Sequence, residues 1–496
     1  MNAALTNNPV SVRWRALLIG TVAFISYAYF YEGGGFNQNS RFDLVRAIIQ
    51  QHTLRIDAYH ENTQDKAFTR GHYYSDKAPG VALLAVPVAL AARPVLHSAG
   101  VAPELPHGLV VTSYFVTIVT IALPLAAACS CLFLIALRVG SSLPAAAFAA
   151  CAMGFATPMW AYATLFWGHA LAGACLLFAF AAALQLCDHP NVASDLAWST
   201  AAGLAGGWAT VTEYPAAPAS LILAIFALGL VWNDGWLRRW RVAAGIAAGA
   251  IPCMAVLLIY QWAAFGSASR PSYSYYPPGA FPWMKHGYLG LTYPHIDVAL
   301  KLLFNCRKGL LFAGPVVFAA PVGLRWLWKQ PPSRASAAAA AAVAGYYFLF
   351  NASFPGVPGW SYGPRYLSPG LPLLCLGLSP LWDRARPWRI LVTTLAVCGA
   401  LFTLMTVSTT SQPSSDLKCP MFQLIFPSFW SGKLSTNQGT MLTSTEAGAN
   451  HIGHAFNLGE LAGLHGLASL LPLLGIWLAA VFLWLRMNGA NREQSL

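Results

Sequence analysis

The sequence predicts an all-α polytopic membrane protein, a single domain over residues 1–496 with about 12 transmembrane helices (roughly 11 to 13). Two observations support this prediction. Of the 496 residues, 57% are hydrophobic and only 9% are charged, whereas a soluble domain carries about 25% charged residues. The apolar residues also form runs long enough to cross a bilayer, and the stretches 215–232 and 467–485 contain no charge.

Each predicted helix is an apolar run that ends at a charged or turn-forming cluster. The predicted helices cover residues 16–31, 109–137, 143–160, 168–187, 196–212, 215–232, 242–262, 309–324, 335–350, 366–382, 390–407 and 467–485.

Basic residues predict which loops are cytoplasmic. They occur in short clusters between apolar runs, such as Arg238, Arg239 and Arg241, and Lys and Arg prefer cytoplasmic loops. Counting crossings from that cluster makes both termini cytoplasmic. It also makes the polar segments 32–79, 263–308, 351–365 and 408–465 non-cytoplasmic; we call these the four outer segments. The apolar stretch 81–95 is short and broken by Pro87 and Pro94, so we expect it not to cross but to lie in the interface or to dip into the membrane and return.

The formal charge of +12 does not indicate nucleic-acid binding, because no dense stripe of Lys and Arg is present. Most of the ten cysteines lie inside apolar runs and are interpreted as small core residues. Cys306 and Cys419 fall in or beside outer segments, where a disulfide bridge between them is possible. The first apolar run follows Arg13 and Arg15 and is interpreted as a membrane anchor, since further spans follow it.

The first outer segment carries most of the candidate catalytic acids. Residues 41–51 have helical spacing, with Asp43 and Arg46 flanking an apolar face on a short juxtamembrane helix. A carboxylate at the mouth of an apolar cavity can have a raised proton affinity and act as a general base. Asp65 and Asp76 are further candidates. The alternative is a solvated loop whose charges pair with one another.

Two basic residues could bind an anion. Lys77 precedes Ala78–Pro79–Gly80 and an apolar stretch, where it could hold a phosphate near the headgroup plane. Arg365 precedes another apolar run, and arginine suits bidentate recognition of phosphate. The alternative for both is anchoring of a helix end at the interface.

Further candidates for a substrate pocket lie at the same predicted face. Glu213 and Tyr214 fall at a helix junction, His169 falls at another, and an ionisable group at such depth is a functional candidate. A lone histidine at a helix start can equally be structural. Tyr362, Trp283 and Trp360 suit stacking against a sugar.

The sequence lacks a P-loop, HExxH, GxSxG and a GxGxxG that opens a helix after a strand. Nothing in it is typical of a soluble nucleotide-binding domain. If the protein is a transferase, we therefore expect it to use an activated donor that is already in the membrane.

The order of these features resembles the GT-C type integral membrane glycosyltransferases. One helix is followed by a long outer segment with an early Asp, a Lys-x-Pro entry into an apolar stretch, and about eleven further helices. The motifs are RFDLVRAII, GHYYSDKAPG, Phe265–Gly266, CRKGLLFAGP and YGPRYLSPGLPLL. The pattern is most similar to the bacterial branch that is related to protein O-mannosyltransferases and to lipid A aminoarabinose transferases, and so resembles glycosyltransferase family 39.

The resemblance implies a reaction and roles for three residues. Asp43 would be the catalytic base, although Leu44 stands where the family often has a second acid. Lys77 and Arg365 would bind the phosphate of a polyprenyl-phosphate sugar, which would be transferred with inversion to a glycan, lipid or protein acceptor. The resemblance implies no cofactor, without excluding a divalent metal ion. It also implies a multi-pass protein of the bacterial inner membrane with its active site outside.

Two other functions remain open at this stage. A multi-pass transporter or lipid flippase would need a polar pathway that reaches both sides of the membrane. A scaffold protein would use the outer segments as a contact surface. Convergence of Asp43, Lys77 and Arg365 on one outward-facing cavity would favour the transferase.

Overall fold

The computed structural model describes residues 9–493, except 189, 278, 357–358 and 449–451. The chain is mostly helical, as expected for the predicted class. The longer helices are α1 Pro9–Ala28, α2 Phe36–Gln51, α3 Gly80–Ser98, α4 Pro106–Arg138, α5 Leu143–Phe155, α6 Gly168–Gln185, α7 Val192–Thr212, α8 Ala216–Leu230, α9 Trp236–Phe265, α10 Ile296–Phe304, α11 Ala320–Lys329, α12 Arg334–Ala352, α13 Arg386–Thr409 and α14 Leu471–Glu493.

Several shorter helical turns connect these helices. They are His60–Asn62, Met159–Ala163, Ser272–Tyr275, Pro282–Lys285, Leu310–Ala313, Pro315–Ala319, Pro331–Ser333, Arg365–Gly370, Leu371–Leu374, Cys375–Gly377, Leu378–Trp382, Met421–Ile425, Phe426–Trp430, Ser444–Ala447, Leu458–Leu461 and Gly466–Leu470. Helix α4 contains one π-helical turn at Ile118–Ala122.

Within the described residues, four short strands pair in two antiparallel ribbons, which the sequence analysis did not predict. Strands β2 (Lys66–Thr69) and β3 (His72–Ser75) form a hairpin inside the first outer segment. Arg70 and Gly71 connect them with positive φ angles, as tight hairpin turns require. Strand β1 (Phe30–Tyr31) pairs with β4 (Phe456–Asn457) and so joins the end of α1 to the outer segment 408–465.

By length and composition, eight described helices could cross a membrane, and two shorter apolar helices accompany them. The predicted count of about 12 is not confirmed. Two predicted spans are broken where glycine and proline interrupt the helix. Residues 309–324 divide at Gly314 and Pro315, and residues 366–382 divide into four short turns.

The apolar stretch after Lys77 differs from the expectation in one respect. Pro87 and Pro94 do not break it, because both lie inside the continuous helix α3. This helix is long and apolar enough to cross a membrane. Its C-terminal half is fixed by an ion pair from Arg93 to Glu104, just before α4. That α3 does not cross stays a prediction.

Helices α1 and α4 run antiparallel and form one side of the bundle. The Ser130 hydroxyl donates to the Ala16 carbonyl at 2.6 Å, and the Tyr114 hydroxyl donates to the Ala28 carbonyl at 2.5 Å. The start of α4 therefore lies at the same end of the bundle as the end of α1. The first outer segment begins at this end.

A disulfide bond joins the outer segments 263–308 and 408–465. It links Cys306 to Cys419, whose Cα atoms lie 4.9 Å apart. The structure thus forms the bridge that the sequence allowed. Disulfide bonds persist in oxidising compartments, which agrees with the predicted non-cytoplasmic placement of both segments.

Candidate active site

A cavity of about 830 Å³ lies where the first outer segment meets the three others. Its walls combine backbone from the glycine-rich turn after β1 with polar and aromatic side chains from every outer segment. The side chains used below are Asn37, Asn62, Asp65, Trp167, Trp283, Trp360 and Arg365. Trp283 and Trp360 both line the cavity, and their stacking against a sugar stays a prediction.

Asp65 is the predicted acid that lines this cavity. Its Oδ2 lies 2.9 Å from the Lys77 ammonium, which also lies 2.9 Å from Asp76 Oδ2. Lys77 is buried, and Asp76 is completely buried beneath it. Burial alone would lower the pKa of Lys77, but the two carboxylates more than offset it and raise that pKa. The lysine thus orients Asp65 and is itself held by two acids.

Asp76 belongs to a closed network. Its carboxylate accepts hydrogen bonds from Ser40 at 3.2 Å and Tyr276 at 2.5 Å, besides the bond from Lys77. Burial raises the pKa of Asp76, while the charge of Lys77 opposes that shift. Asp76 does not line the cavity, so it supports Lys77 and Asp65 from below.

Arg365 lines the cavity together with Asp65. Its Nη2 donates to the Tyr366 hydroxyl at 3.0 Å, and its guanidinium carbon lies 4.8 Å from the Tyr366 ring centroid. The same carbon lies 5.8 Å from the ring of Trp167. No described residue accepts a hydrogen bond from its buried Nε. The aromatic rings thus hold the guanidinium, and its Nε–H remains available as a hydrogen-bond donor.

Asp43, the acid that the resemblance implies as the base, lies beside this cavity and not at its mouth, and its catalytic role stays a prediction. It is fully buried on α2 and does not line the cavity. Its Oδ1 accepts a hydrogen bond from Asn62 at 3.2 Å, and no described residue donates to its Oδ2. Burial raises its pKa well above the ordinary value, against opposing effects of Asn62 and Arg46. Since Asn62 lines the cavity, Asp43 lies one residue behind the wall.

Arg46 is held by residues outside α2. The sequence places Arg46 one helical turn after Asp43 on α2. In the structure its guanidinium forms a bidentate ion pair with Glu446 of the outer segment 408–465. Arg46 also stacks on Tyr59, 4.0 Å from the ring centroid. Glu446 and Tyr59 therefore hold the Arg46 side chain in place.

Glu213 and His169 are buried and Tyr214 is half-buried, and none of the three lines the cavity. Glu213 accepts a hydrogen bond from Arg41 Nη2 at 2.7 Å and lies 3.5 Å from His169 Nδ1. Neither ring nitrogen of His169 has a hydrogen-bond partner among the described residues. Tyr214 shares a 3.2 Å hydrogen bond with Ser272. The bond from Arg41 to Glu213 fixes α2, because Arg41 lies on that helix.

Tyr362 was predicted to face a substrate pocket and does not line this cavity. Its hydroxyl donates to the Phe312 carbonyl at 2.9 Å, and its amide donates to the Ser411 carbonyl at 3.0 Å. It is buried and anchors the segment that carries Arg365. Its predicted place in a substrate pocket stays a prediction.

Glu32 connects the first outer segment to the segment 408–465. Its carboxylate accepts from the Ser411 amide at 2.9 Å and from the Ser411 hydroxyl at 2.6 Å. Burial raises its pKa to about 7, although both bonds from Ser411 oppose that shift. Because Ser411 in turn binds Tyr362, this contact helps to fix the wall that carries Arg365.

Asn37, Asn62 and Trp167 line the cavity, yet the sequence analysis did not select them. Uncharged side chains carry no signal of depth or partner in a single sequence. The charged residues were easier to find, because only 9% of the chain is charged. The described residues contain no group of three or more His, Cys, Asp or Glu side chains that could hold a metal ion.

No family model matches this chain, and no curated protein matches it. Solved structures do. One is ArnT from Cupriavidus metallidurans bound to undecaprenyl phosphate, with 19% identity, a TM-score of 0.50, and coverage of 82% of this chain and 66% of that chain. The apo state of the same protein gives 19% identity, a TM-score of 0.49, and coverage of 86% and 69%.

A third structure is the archaeal oligosaccharyltransferase AglB from Archaeoglobus fulgidus, in complex with an inhibitory peptide and a dolichol-phosphate. It gives 12% identity, a TM-score of 0.48, and coverage of 81% of this chain and 56% of that chain. ArnT and AglB are both GT-C glycosyltransferases. The likeness to lipid-bound ArnT shows that this chain has the GT-C fold, and the chain spans about two thirds of that protein's length.

Proposed function

We propose that this protein is a membrane glycosyltransferase that moves a sugar from a polyprenyl-phosphate donor to an acceptor hydroxyl, with inversion at the anomeric carbon. The observation that carries the proposal is that Asp65 and Arg365 line the same cavity. A base for the acceptor and a cation for the leaving phosphate are the two groups that this displacement needs.

Asp65 is the residue that we assign as the base. The resemblance implies Asp43 for this role, but Asp43 is buried behind Asn62, whereas Asp65 reaches the cavity. In the reaction, Asp65 takes the proton of the acceptor hydroxyl as its oxygen bonds to the anomeric carbon. The bond from that carbon to the phosphate oxygen breaks, and the lipid phosphate leaves with the electron pair.

Arg365 is assigned to the leaving phosphate. The negative charge on the phosphate oxygen grows as the bond breaks, and a fixed guanidinium stabilises it. Tyr366 and Trp167 hold the guanidinium by stacking, so it need not reorganise during the reaction. Lys77, assigned to the phosphate from the sequence, instead orients Asp65.

A second cavity supports a lipid-linked donor. This apolar groove, of about 750 Å³, runs between α10, α11 and α12, and Phe318, Ala341 and Phe348 are among its lining residues. Leu367 also lines it, two residues after Arg365. A polyprenyl chain in this groove would place its phosphate close to Arg365. The donor would then enter from the bilayer, as the absence of a nucleotide-binding motif in the sequence suggests.

The acceptor is a hydroxyl group of a glycan, a lipid or a protein, and the sugar is a hexose or a pentose. Trp283 and Trp360 offer two aromatic faces for stacking, a contact that suits a sugar ring. We further propose that the active site faces the non-cytoplasmic side of a bacterial inner membrane. The Cys306–Cys419 disulfide favours that side.

The test is transfer of radiolabelled sugar from a membrane-extracted pool of polyprenyl-phosphate sugars by the purified full-length protein. Asp65→Asn should reduce the rate by about 100-fold or more, as loss of a general base does. The matched control is Glu61→Gln, which removes an exposed acid of the same outer segment and should leave the rate unchanged.

Asp43→Asn separates the two candidate bases. We expect a smaller loss, because Asp43 acts on the cavity only through Asn62. If Asp43→Asn abolishes transfer while Asp65→Asn retains it, Asp43 is the base. If the wild-type protein transfers no sugar from any donor, the transferase proposal fails and a transport assay on the same preparation becomes the test of the alternative.

A further inference from the structure

The described lining of the large outer cavity is almost free of charge. Asp65 and Arg365 are its two charged side chains, and the proposed reaction uses both of them. Seven other described lining residues are Asn or Gln, several are Ser or Thr, and five are aromatic. Outside the catalytic pair, the wall is therefore built from neutral hydrogen-bonding groups and aromatic rings.

Gln64 lies directly before Asp65, in a turn whose backbone is fixed. The Thr63 hydroxyl donates to the Phe36 carbonyl at 2.7 Å and accepts from the Asp65 amide at 3.0 Å. The Gln64 carbonyl accepts from the Lys66 amide at 3.0 Å. The Gln64 side chain is exposed, lines the cavity and has no hydrogen-bond partner among the described residues. Its amide group is thus available to a ligand beside the proposed base.

Gln438 repeats this arrangement in the outer segment 408–465. Before it, Asn437 Nδ2 donates to the Gly34 carbonyl at 3.0 Å, and after it, the Gly439 carbonyl accepts from the Gly34 amide at 2.9 Å. The Gln438 side chain is exposed, lines the cavity and has no partner within the described chain. Two outer segments that are distant in sequence thus each place an available amide in the cavity on fixed backbone.

Two indole rings supply the apolar part of the same wall. Trp360 lines the cavity and is 51% exposed. Trp283 is held in place, because a Cβ atom on Gly290 would clash with its ring and the Phe354 ring meets it edge-on at 5.9 Å. A sugar ring has apolar C–H faces and a rim of hydroxyls. Flat aromatic rings among amide groups match both parts.

This composition discriminates between the classes of acceptor. An anionic acceptor would meet no unassigned cation in the described lining, and its charge would lie near the Asp65 carboxylate. Desolvating a charge without a partner costs free energy. A sugar hydroxyl both donates and accepts, as a side-chain amide does, so a neutral glycan leaves no group unpaired. A peptide without aromatic residues would leave the indole faces of Trp283 and Trp360 uncovered.

We propose that the acceptor is an uncharged glycan, whose hydroxyls bind the amides of Gln64 and Gln438 while a ring stacks on Trp283 or Trp360. That this glycan is an acceptor rests on the proposed function, whereas its binding needs no donor. Cavities of about 300–1,000 Å³ take drug-sized ligands, so a volume of about 830 Å³ leaves room for acceptor rings beside the donor sugar. Gln64 positions the acceptor hydroxyl, because it is adjacent to Asp65.

Retention of oligosaccharides on the immobilised full-length protein in detergent tests this binding without turnover. The first two probes come from a partial acid hydrolysate of the cell-envelope polysaccharide of the native host, which anion exchange separates into a neutral and an acidic fraction. The third probe is an end-blocked peptide of Ser, Thr and Gly. The protein should retain the neutral fraction in preference to the other two probes. Equal or stronger retention of the acidic fraction or of the peptide, or no retention of the neutral fraction, would overturn the proposal.

The double variant Gln64→Ala/Gln438→Ala tests the two amides. It should bind the neutral fraction about tenfold more weakly, as loss of two neutral hydrogen bonds does, with an unchanged melting temperature. In sugar transfer it should raise KM for the neutral acceptor more than it lowers kcat. Gln51→Ala, an exposed glutamine of α2 that does not line the cavity, is the matched control and should bind as the wild type does. Wild-type affinity in the double variant would show that these amides do not bind the glycan.

Two results separate the acceptor from the proposed function. If the protein transfers labelled sugar to extracted membrane acceptors but retains no neutral oligosaccharide, the transferase stands and the acceptor is not an uncharged glycan. If it retains the neutral fraction through Gln64 and Gln438 but transfers no sugar from any donor, the glycan site stands and the transferase fails.

Discussion

At the scale of single residues, burial separates three acids of one outer segment into different roles. Asp43 and Asp76 are completely buried, and burial raises the pKa of each. Asp65 reaches the cavity and is paired with Lys77. A base must contact the proton that it removes. Access therefore favours Asp65 as the proposed base.

Glu32 gives a pH-dependent prediction. Its folded pKa of about 7 lies above its ordinary value of 4.5, so the folded protein binds this proton more tightly than the unfolded chain does. The free energy of unfolding should therefore fall as pH rises from about 4.5 to about 7, and then level. Glu32→Gln removes the titrating group and should remove this decline.

Thermal unfolding in detergent at a series of pH values measures this difference. Glu104→Gln, which removes an exposed carboxylate paired with Arg93, is the control and should keep the wild-type slope. An identical slope in Glu32→Gln and the wild type would mean that another group carries the pH dependence.

At the scale of elements, small residues set how closely α7 and α9 pack. A Cβ on Gly249 of α9 would lie 2.1 Å from the Thr200 carbonyl oxygen, and one on Gly203 of α7 would lie 2.0 Å from the Ile246 carbonyl oxygen. The two backbones are thus in direct contact, as in membrane helix pairs with small residues at the interface. This pair carries Glu213 just beyond the end of α7.

Gly249→Leu should prevent this packing, because the obstacle is backbone that cannot rotate away. We expect loss of most of the folded protein, since overpacking costs about 1–3 kcal/mol even where side chains can shift. Size-exclusion chromatography of the detergent-solubilised protein measures the folded fraction. Gly229→Ala in α8, where nothing lies within 4 Å of the added Cβ, should elute as the wild type does. Normal elution of Gly249→Leu would contradict the close contact.

At the scale of the whole molecule, the outer segments fold as one assembly. The Cys306–Cys419 bond joins two of them, Glu32 and Ser411 join the first to the last, and strands β1 and β4 reinforce that junction. Their residues are distant in sequence, so the cavity exists only when the helix bundle has brought them together. These contacts must offset the entropy cost of closing loops between residues so far apart in sequence.

The predicted orientation of this assembly can be tested by labelling in intact cells. A membrane-impermeant maleimide should react with Glu61→Cys, in the first outer segment, and not with Gln330→Cys, beside the predicted cytoplasmic cluster of Arg325, Lys329 and Arg334. Both positions are exposed. The parent protein without the added cysteine gives the background. Reaction at Gln330→Cys alone would invert the topology.

The sequence by itself determined the class of protein and the segments that contribute to the site. Runs of apolar residues are local features, so the long helices such as α6 and α13 could be found from composition alone. The short helical turns within 309–324 and 366–382 were missed, because apolar composition masked the breaks at Gly314, Pro315 and Pro369.

Only the tertiary structure decided which charged residues face the cavity. Asp43, Asp65 and Asp76 cannot be told apart in a single sequence, since burial and partners depend on the folded chain. Some of its contacts join residues hundreds of positions apart, such as Arg46 and Glu446. Charge and hydropathy are properties of residues, whereas access and electrostatic pairing are properties of the packed molecule.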